Sequence, residues 1–329
     1  MQRSWHEVRS IASLIVAACV LSGCASYQPS AQVSPDFKPR DAMPAVPEMA
    51  AAHRQGRIEF IIVPKAKIPV RVFGENGTRR PVIMTHGLES HSGWFVQSAA
   101  FMAGLGHPVY LVDRRGSGLS KERRGHSKNF REWSRDLESV ARITLKRHHT
   151  NQLHVIGHCF GAIPATVFTI ENSDMVASLI LPTPGFSTTT DLSIAQKLHV
   201  LGDRLGRRSH YLPVPLETEH FTDSAEYQQF IRNDKLKLHE VTSAFYWNVN
   251  AARKFVRANV EALRCPTWVG LAGRDEIVEP EPTRALFRDF GSVQKRLTSF
   301  SEAKHILEFS PAREEFFREL ENWLREDWK

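Results

Sequence analysis

Cysteine is scarce in this 329-residue chain: it occurs four times, at positions 19, 24, 159 and 265. Thiols so few and so far apart exclude a disulfide framework as the source of stability. Cys265 directly precedes Pro266 at a strand entrance and reads as core, the alternative being a single bridge to Cys159. The histidines show no metal-ligand spacing; His148-His149 reads as a solvated helix end, and neither metal nor cofactor is expected. Aromatic residues do not alternate with lysine or arginine. The basic pairs Arg114-Arg115, Arg123-Arg124 and Arg207-Arg208 stand apart from one another, so the formal charge of +7 does not describe a nucleic-acid surface. It suits attraction to anionic lipid headgroups instead. Long apolar runs are also missing: Ile11 to Val20 is too short to span a bilayer.

That short run belongs to a secretory signal, residues 1–23, with Arg3 and Arg9 as its basic start. Leu21-Ser22-Gly23-Cys24 closes it and resembles the cleavage box of bacterial lipoproteins, which implies lipidation of Cys24 and a membrane partner through that anchor. Ala25 in place of aspartate implies, by the same resemblance, a periplasm-facing address in the cell envelope at the outer membrane. Residues 24–56 are rich in Pro, Ala and Ser without apolar period and read as a tether. The remaining stretch of about 270 residues suits one α/β domain with an inserted subdomain.

The most informative segment is Gly157-His158-Cys159-Phe160-Gly161. Leu153 to Ile156 reads as a buried strand and Ala162 to Ile170 as a helix, so the five residues form a sharp strand-to-helix turn that lifts one side chain above a sheet. Gly157 and Gly161 are needed where strand and helix approach too closely for a β-carbon. At the first turn of that helix the unpaired N–H groups favour a negative sulfur, making Cys159 a candidate nucleophile. A lone free cysteine is more often a small core residue. Three further segments, in order along the chain, decide between these readings.

Upstream, the strand Pro81 to Thr85 runs into His86-Gly87-Leu88, where the backbone N–H of Leu88 and that of Phe160 are the candidate oxyanion donors. The next strand ends at Asp113-Arg114-Arg115-Gly116-Ser117-Gly118; Asp113 is read as structural, pinning the glycine-rich loop. Downstream, the strand Pro266 to Ala272 is followed by Asp275, the candidate triad acid, with Glu276 as runner-up. His305, after the strand-like Gln294 to Phe300, is the candidate general base and acid. The order nucleophile, acid, histidine is that of α/β-hydrolases.

Together, His86 to Trp94, Asp113 to Ser120, Gly157 to Gly161, Gly273 to Asp275 and His305 resemble the α/β-hydrolases related to monoacylglycerol lipases and lysophospholipases, grouped with serine aminopeptidases. The resemblance covers roughly residues 57–328 and implies a mostly parallel sheet flanked by helices. It implies a core over 57–184 and 263–329, interrupted by a helical cap over 185–262. One departure is chemical: the family's elbow serine is cysteine here, as also in dienelactone hydrolases and polyhydroxyalkanoate synthases.

Within the cap, helical periodicity runs over Ser193 to Leu205, Ser224 to Asn233 and Lys237 to Val260. Phe186, Leu198, Leu201 and Phe221 are candidates for an acyl slot, as are Phe245, Tyr246 and Trp247, although most such aromatics pack cap on core. The leading expectation is a hydrolase of lipid-like acyl esters or thioesters working through a thioacyl-enzyme. An acyltransferase with the same residues comes second, and an inactive binding protein third.

Overall fold

In the computed structural model, residues 44–190, 192–326 and 328 are described. The signal segment, Cys24 and most of the tether lie outside them. The chain enters through helix α1 (Pro47–His53) and the hairpin β1 (Arg57–Val63) and β2 (Ala66–Phe73). Strand and helix then alternate: β3 (Val82–Thr85), α2 (Val96–Gly104), β4 (Val109–Val112), α3 (Arg131–Arg147), β5 (Leu153–Gly157), α4 (Ala162–Glu171) and β6 (Val176–Pro182). An excursion follows, comprising α5 (Ile194–Leu205), β7 (Tyr211–Pro213), α6 (Ala225–Asn233), β8 (Glu240–Thr242) and α7 (Ser243–Asn259). The chain returns through β9 (Thr267–Ala272), α8 (Pro280–Arg288), β10 (Lys295–Phe300) and α9 (Arg313–Arg325).

Eight strands form one sheet in the order β1-β2-β4-β3-β5-β6-β9-β10. The β1–β2 and β2–β4 pairs are antiparallel and every other pair is parallel. Strands β3 to β6 and β9 are buried along their whole length, which is why they read as unbroken apolar runs rather than as alternating ones. Because the inner strands run parallel, their following loops collect at one edge of the sheet. His86, Asp113, Cys159, Asp275 and His305 all lie in such loops, where open α/β sheets place their sites.

Two expectations need correction. The end of the expected tether is ordered structure: Pro47 opens α1 with a pre-set φ, and Met49 and Ala52 are buried in the core that holds Phe73, Trp94 and Phe95. The third cap helix starts later than its periodicity suggested. Residues 240–242 pair with β7, and the Thr242 side chain accepts the Phe245 N–H at 3.2 Å to cap α7.

Candidate active site

Cys159 sits at φ +53°, a left-handed conformation that a non-glycine residue adopts only when its surroundings impose it. The imposition is visible on both flanks. A β-carbon on Gly157 would lie 2.7 Å from the Ala162 Cα, and one on Gly161 would lie 2.6 Å from the Thr85 carbonyl oxygen. Strand β5, helix α4 and the end of β3 therefore close on the turn from three sides and leave the sulfur at the wall of a cavity. Cys159 and Cys265 are both free thiols, so no bridge joins them. Burial pushes the Cys265 thiol up to about 12, which leaves it inert.

His305 is fully buried, with Nδ1 2.9 and 3.0 Å from the two Asp275 carboxylate oxygens. Asp275 in turn accepts the N–H groups of Ile277 and Val278 at 2.9 and 3.0 Å, so its own turn aims it at the imidazole. Burial alone would strip His305 of its proton. The Asp275 carboxylate and the Cys159 sulfur outweigh it and raise His305 to about 10. His158, edge-on to His305 at 5.2 Å between ring centroids, goes the other way: burial and the His305 charge hold it well below 6.5. One ring of the pair carries charge and the other stays neutral. Glu276, the alternative acid, is half exposed and reaches Lys304 at 3.2 Å rather than His305.

The loop after β3 is held by a residue that the sequence reading passed over. Arg114 is buried, and its Nη2 donates to the carbonyl oxygens of Gly87 and Leu88, both at 2.7 Å. The Gly87 carbonyl and the Leu88 N–H belong to one planar peptide and point opposite ways. Gripping the oxygen therefore sets the direction of the N–H. The Arg114 backbone N–H donates to His86 Nε2 at 3.1 Å, so the His86 Nδ1–H donates to the Gly87 oxygen at 2.9 Å. Burial keeps His86 well below 6.5, in that neutral form. The guanidinium also lies 4.7 Å from the centre of the Phe160 ring. It thus touches both residues whose N–H groups were singled out as oxyanion donors. Burial lowers Arg114 to about 9, against the pull of Asp113 and Cys159. Asp113 itself accepts the N–H groups of Leu119 and Ser92 at 2.8 and 2.7 Å, the loop-pinning role read from sequence.

A cavity of about 800 Å³ opens over Cys159, and its apolar wall includes Leu88, Phe160, Phe186, Val214, Tyr246 and Val249. Its charged lining is lopsided: Lys197, Arg253, Lys254 and Arg257 against Glu279 alone. Arg253 crosses from cap to elbow, donating to the Gly185 carbonyl at 2.9 and 3.1 Å, while the Gly185 N–H donates to the Cys159 carbonyl at 2.8 Å. Tyr246 and Trp247 line the cavity as expected. Phe245 instead packs between Trp133 and Phe160, and Phe221 packs against Trp94, so neither joins the slot. Leu198 faces solvent.

The sequence model of the family described as serine aminopeptidase, S33, matches residues 76–311. The chain belongs to that family. As an S33-family α/β-hydrolase, it is 21% identical over 239 residues to a phospholipase of Bacillus subtilis, covering 72% of this chain and 92% of that one. It is 26% identical over 255 residues to an uncharacterised abhydrolase domain-containing protein of Dictyostelium discoideum; that stretch is 74% of this chain and 26% of that longer protein. A soluble variant of monoglyceride lipase from Saccharomyces cerevisiae, solved with a substrate analogue, superposes with a TM-score of 0.73 at 16% identity, over 82% of this chain and 95% of that one.

An ion pair and a set of hydrogen bonds join the cap to the β3 loop of this hydrolase. Lys237 meets Glu89 at 2.8 Å with both side chains buried, and Asp234 receives His91 at 2.9 Å and the Trp94 indole N–H at 2.6 Å. Burial raises Glu89 to about 7 in spite of Lys237. On the cap, His199, Asp203 and His210 gather their ligand atoms within 4.8 Å, a grouping that sequence spacing did not disclose. Both Asp203 oxygens are already used, one by the His210 ring and the other by the Ser243 hydroxyl and the His210 N–H. The grouping pins α5 to β7 and α7.

Proposed function

We propose that this protein hydrolyses acyl esters of lipid-like substrates through Cys159, with His305 and Asp275 completing a triad. One observation carries the reading: His305 is locked to Asp275 and held at about 10, while Cys159 stands on a strained turn at the wall of an apolar cavity. Relatives named as a phospholipase and a monoglyceride lipase support the lipid-ester class.

In the proposed cycle, the Cys159 sulfur attacks the acyl carbonyl carbon and the carbonyl electron pair moves onto oxygen. The Leu88 and Phe160 N–H groups receive that oxyanion, and Arg114 is the positioning residue that keeps the Leu88 peptide in place. When the tetrahedral adduct collapses, the carbon–oxygen bond to the alcohol breaks and His305 gives its proton to the departing oxygen. A water then attacks the thioester as His305 takes one of its protons. Collapse breaks the carbon–sulfur bond, releases the carboxylic acid and frees the Cys159 sulfur for another cycle, with the proton back on His305.

The same proposal places the protein in the cell envelope as a lipoprotein of the outer membrane, anchored at Cys24. Leu21-Ser22-Gly23-Cys24 supports the anchor, and Cys24→Ser is expected to abolish labelling by radioactive palmitate.

The enzymatic reading is tested with glycerol monoesters and acyl thioesters of increasing chain length. Turnover in the parent and none in Cys159→Ala is expected. Equal turnover by the two proteins would overturn it. Added primary amine separates hydrolysis from transfer, since water is expected to take most of the acyl group.

A further inference from the structure

Helix α5 carries Ile194, Leu198, Leu201 and Leu205 at positions i, i+4, i+7 and i+11. At 100° per residue these fall within an arc of about 60°, an apolar stripe of the kind that normally faces a core. Here it faces outward. The four side chains are 79%, 58%, 45% and 78% exposed, whereas Val200 and Asp203, on the opposite side of the helix, are buried. Trp247 of α7, 40% exposed, extends the patch, with the Arg204 guanidinium 5.3 Å from its ring. More than half of the large exposed apolar side chains among the described residues thus sit on one face of the cap.

That face is flanked by positive charge. Lys197 and Arg204 lie on α5, Arg207 and Arg208 just beyond it, and Lys254 and Arg257 on α7; all are exposed. The only acid on these two helices is Asp203, which is buried and paired. The patch also borders the cavity, since Lys197, Leu201 and Trp247 line its wall together with Cys159. Exposed leucines ringed by Lys and Arg on an amphipathic helix form the pattern that inserts among anionic headgroups. The lipid surface is favoured over a protein because the patch borders the mouth of a cavity that takes lipid-like esters, and a second copy of this chain would bring the same charges together.

We propose that the outward face of α5, with Trp247, docks on an anionic lipid bilayer and sets the cavity mouth at headgroup level. The inference extends the lipid-ester reading by naming the surface from which substrate enters. It does not depend on Cys159 chemistry, because its readout is partition rather than turnover.

The test is co-sedimentation of the full-length chain with phosphatidylglycerol vesicles and with phosphatidylcholine vesicles. Every variant carries Cys24→Ser, so whatever the N-terminal segment contributes is common to all. Leu198→Asp with Leu205→Asp is expected to lower the partition coefficient on phosphatidylglycerol at least tenfold. Arg207→Glu with Arg208→Glu should lower it on phosphatidylglycerol and leave the weaker binding to phosphatidylcholine unchanged. Neither pair lines the cavity, so turnover of a soluble short-chain ester reports folding. Ile62→Asp, equally exposed on β1, is the control. Unchanged partition in the leucine pair, or an equal fall in the Ile62 control, would overturn the proposal. So would a parent dimer in solution that the leucine pair turns into monomer, because the face would then join copies of the chain.

Discussion

Replacing Arg114 by methionine keeps most of the side-chain stem and removes the guanidinium that grips the Gly87 and Leu88 carbonyls. Hydrogen bonds from a charged donor each contribute about 1.5–3 kcal/mol, and the part-buried Leu88 oxygen is left without that donor, a cost near the lower end of about 1–3 kcal/mol. Against this, a cation that burial has already weakened to about 9 no longer has to be held in the interior. The two effects oppose each other, so the loss of folding stability should stay below about 2 kcal/mol. Catalysis has no such offset. The Gly87 oxygen then keeps only the His86 Nδ1–H, so the Leu88 N–H is held less firmly at its set position, and losing one oxyanion donor costs about 10²–10³ in rate. Arg114→Met is therefore expected to lower kcat about 100-fold with little change in KM, on a chromogenic short-chain ester, while thermal unfolding shifts by a few degrees. Arg114→Lys, with one compact ammonium in place of the planar fork, should fall between the two. A kcat within about threefold of the parent, or a loss of activity that only tracks loss of folded protein, would refute the positioning role.

Other perturbations follow from the same geometry. His305 is raised from 6.5 to about 10, so its charge stabilises the fold fully below pH 6.5 and that contribution is lost as pH climbs through about 10. Asp275→Asn should flatten this dependence in melting curves taken from pH 6 to 10 and lower kcat sharply; a pH dependence equal to the parent's would contradict it. Lys237→Met should leave Glu89 buried without its partner, and since Glu89 is already raised to about 7, the destabilisation should be small in acid and grow above neutrality, up to about 3–5 kcal/mol. Denaturant titrations at pH 5 and pH 8.5 measure the difference, and equal values at both would count against it. Gly185→Ala would bring a β-carbon to 3.1 Å from the Cys159 carbonyl and 3.2 Å from the Phe160 nitrogen, so kcat should fall by about tenfold or more while the protein stays folded. Full activity would show that the elbow yields freely.

The parts of the site that the sequence disclosed are those set by short-range rules. Gly157 and Gly161 mark a turn that admits no β-carbon, and the loops bearing Asp275 and His305 follow strands whose apolar runs are plain. What stayed hidden depends on contacts distant in sequence. Arg114 read as one basic residue of a pair because its partners are backbone carbonyls 26 and 27 residues upstream, which leave no mark on residue type. Lys237 and Glu89 meet across 148 positions, and neither says alone that it will be buried. The stripe on α5 shows the opposite limit. Its period was legible, and Leu198 and Leu201 were taken for the acyl slot; Leu201 does line the cavity, but Leu198 faces solvent, because periodicity fixes only which residues share a face and not whether that face turns inward. The order in α1 was masked by the Pro- and Ala-rich composition of its surroundings, although Met49 and Ala52 are three apart and share its buried side.

The central claim is that the sulfur of Cys159 carries the acyl group. Intact-protein mass spectrometry after a brief exposure to a short-chain and a long-chain activated ester tests it most directly, with Cys159→Ala run alongside. The account predicts a single acyl adduct on the parent that decays in water, and none on the variant. Turnover without any adduct on Cys159, or an adduct of equal mass on Cys159→Ala, would contradict it.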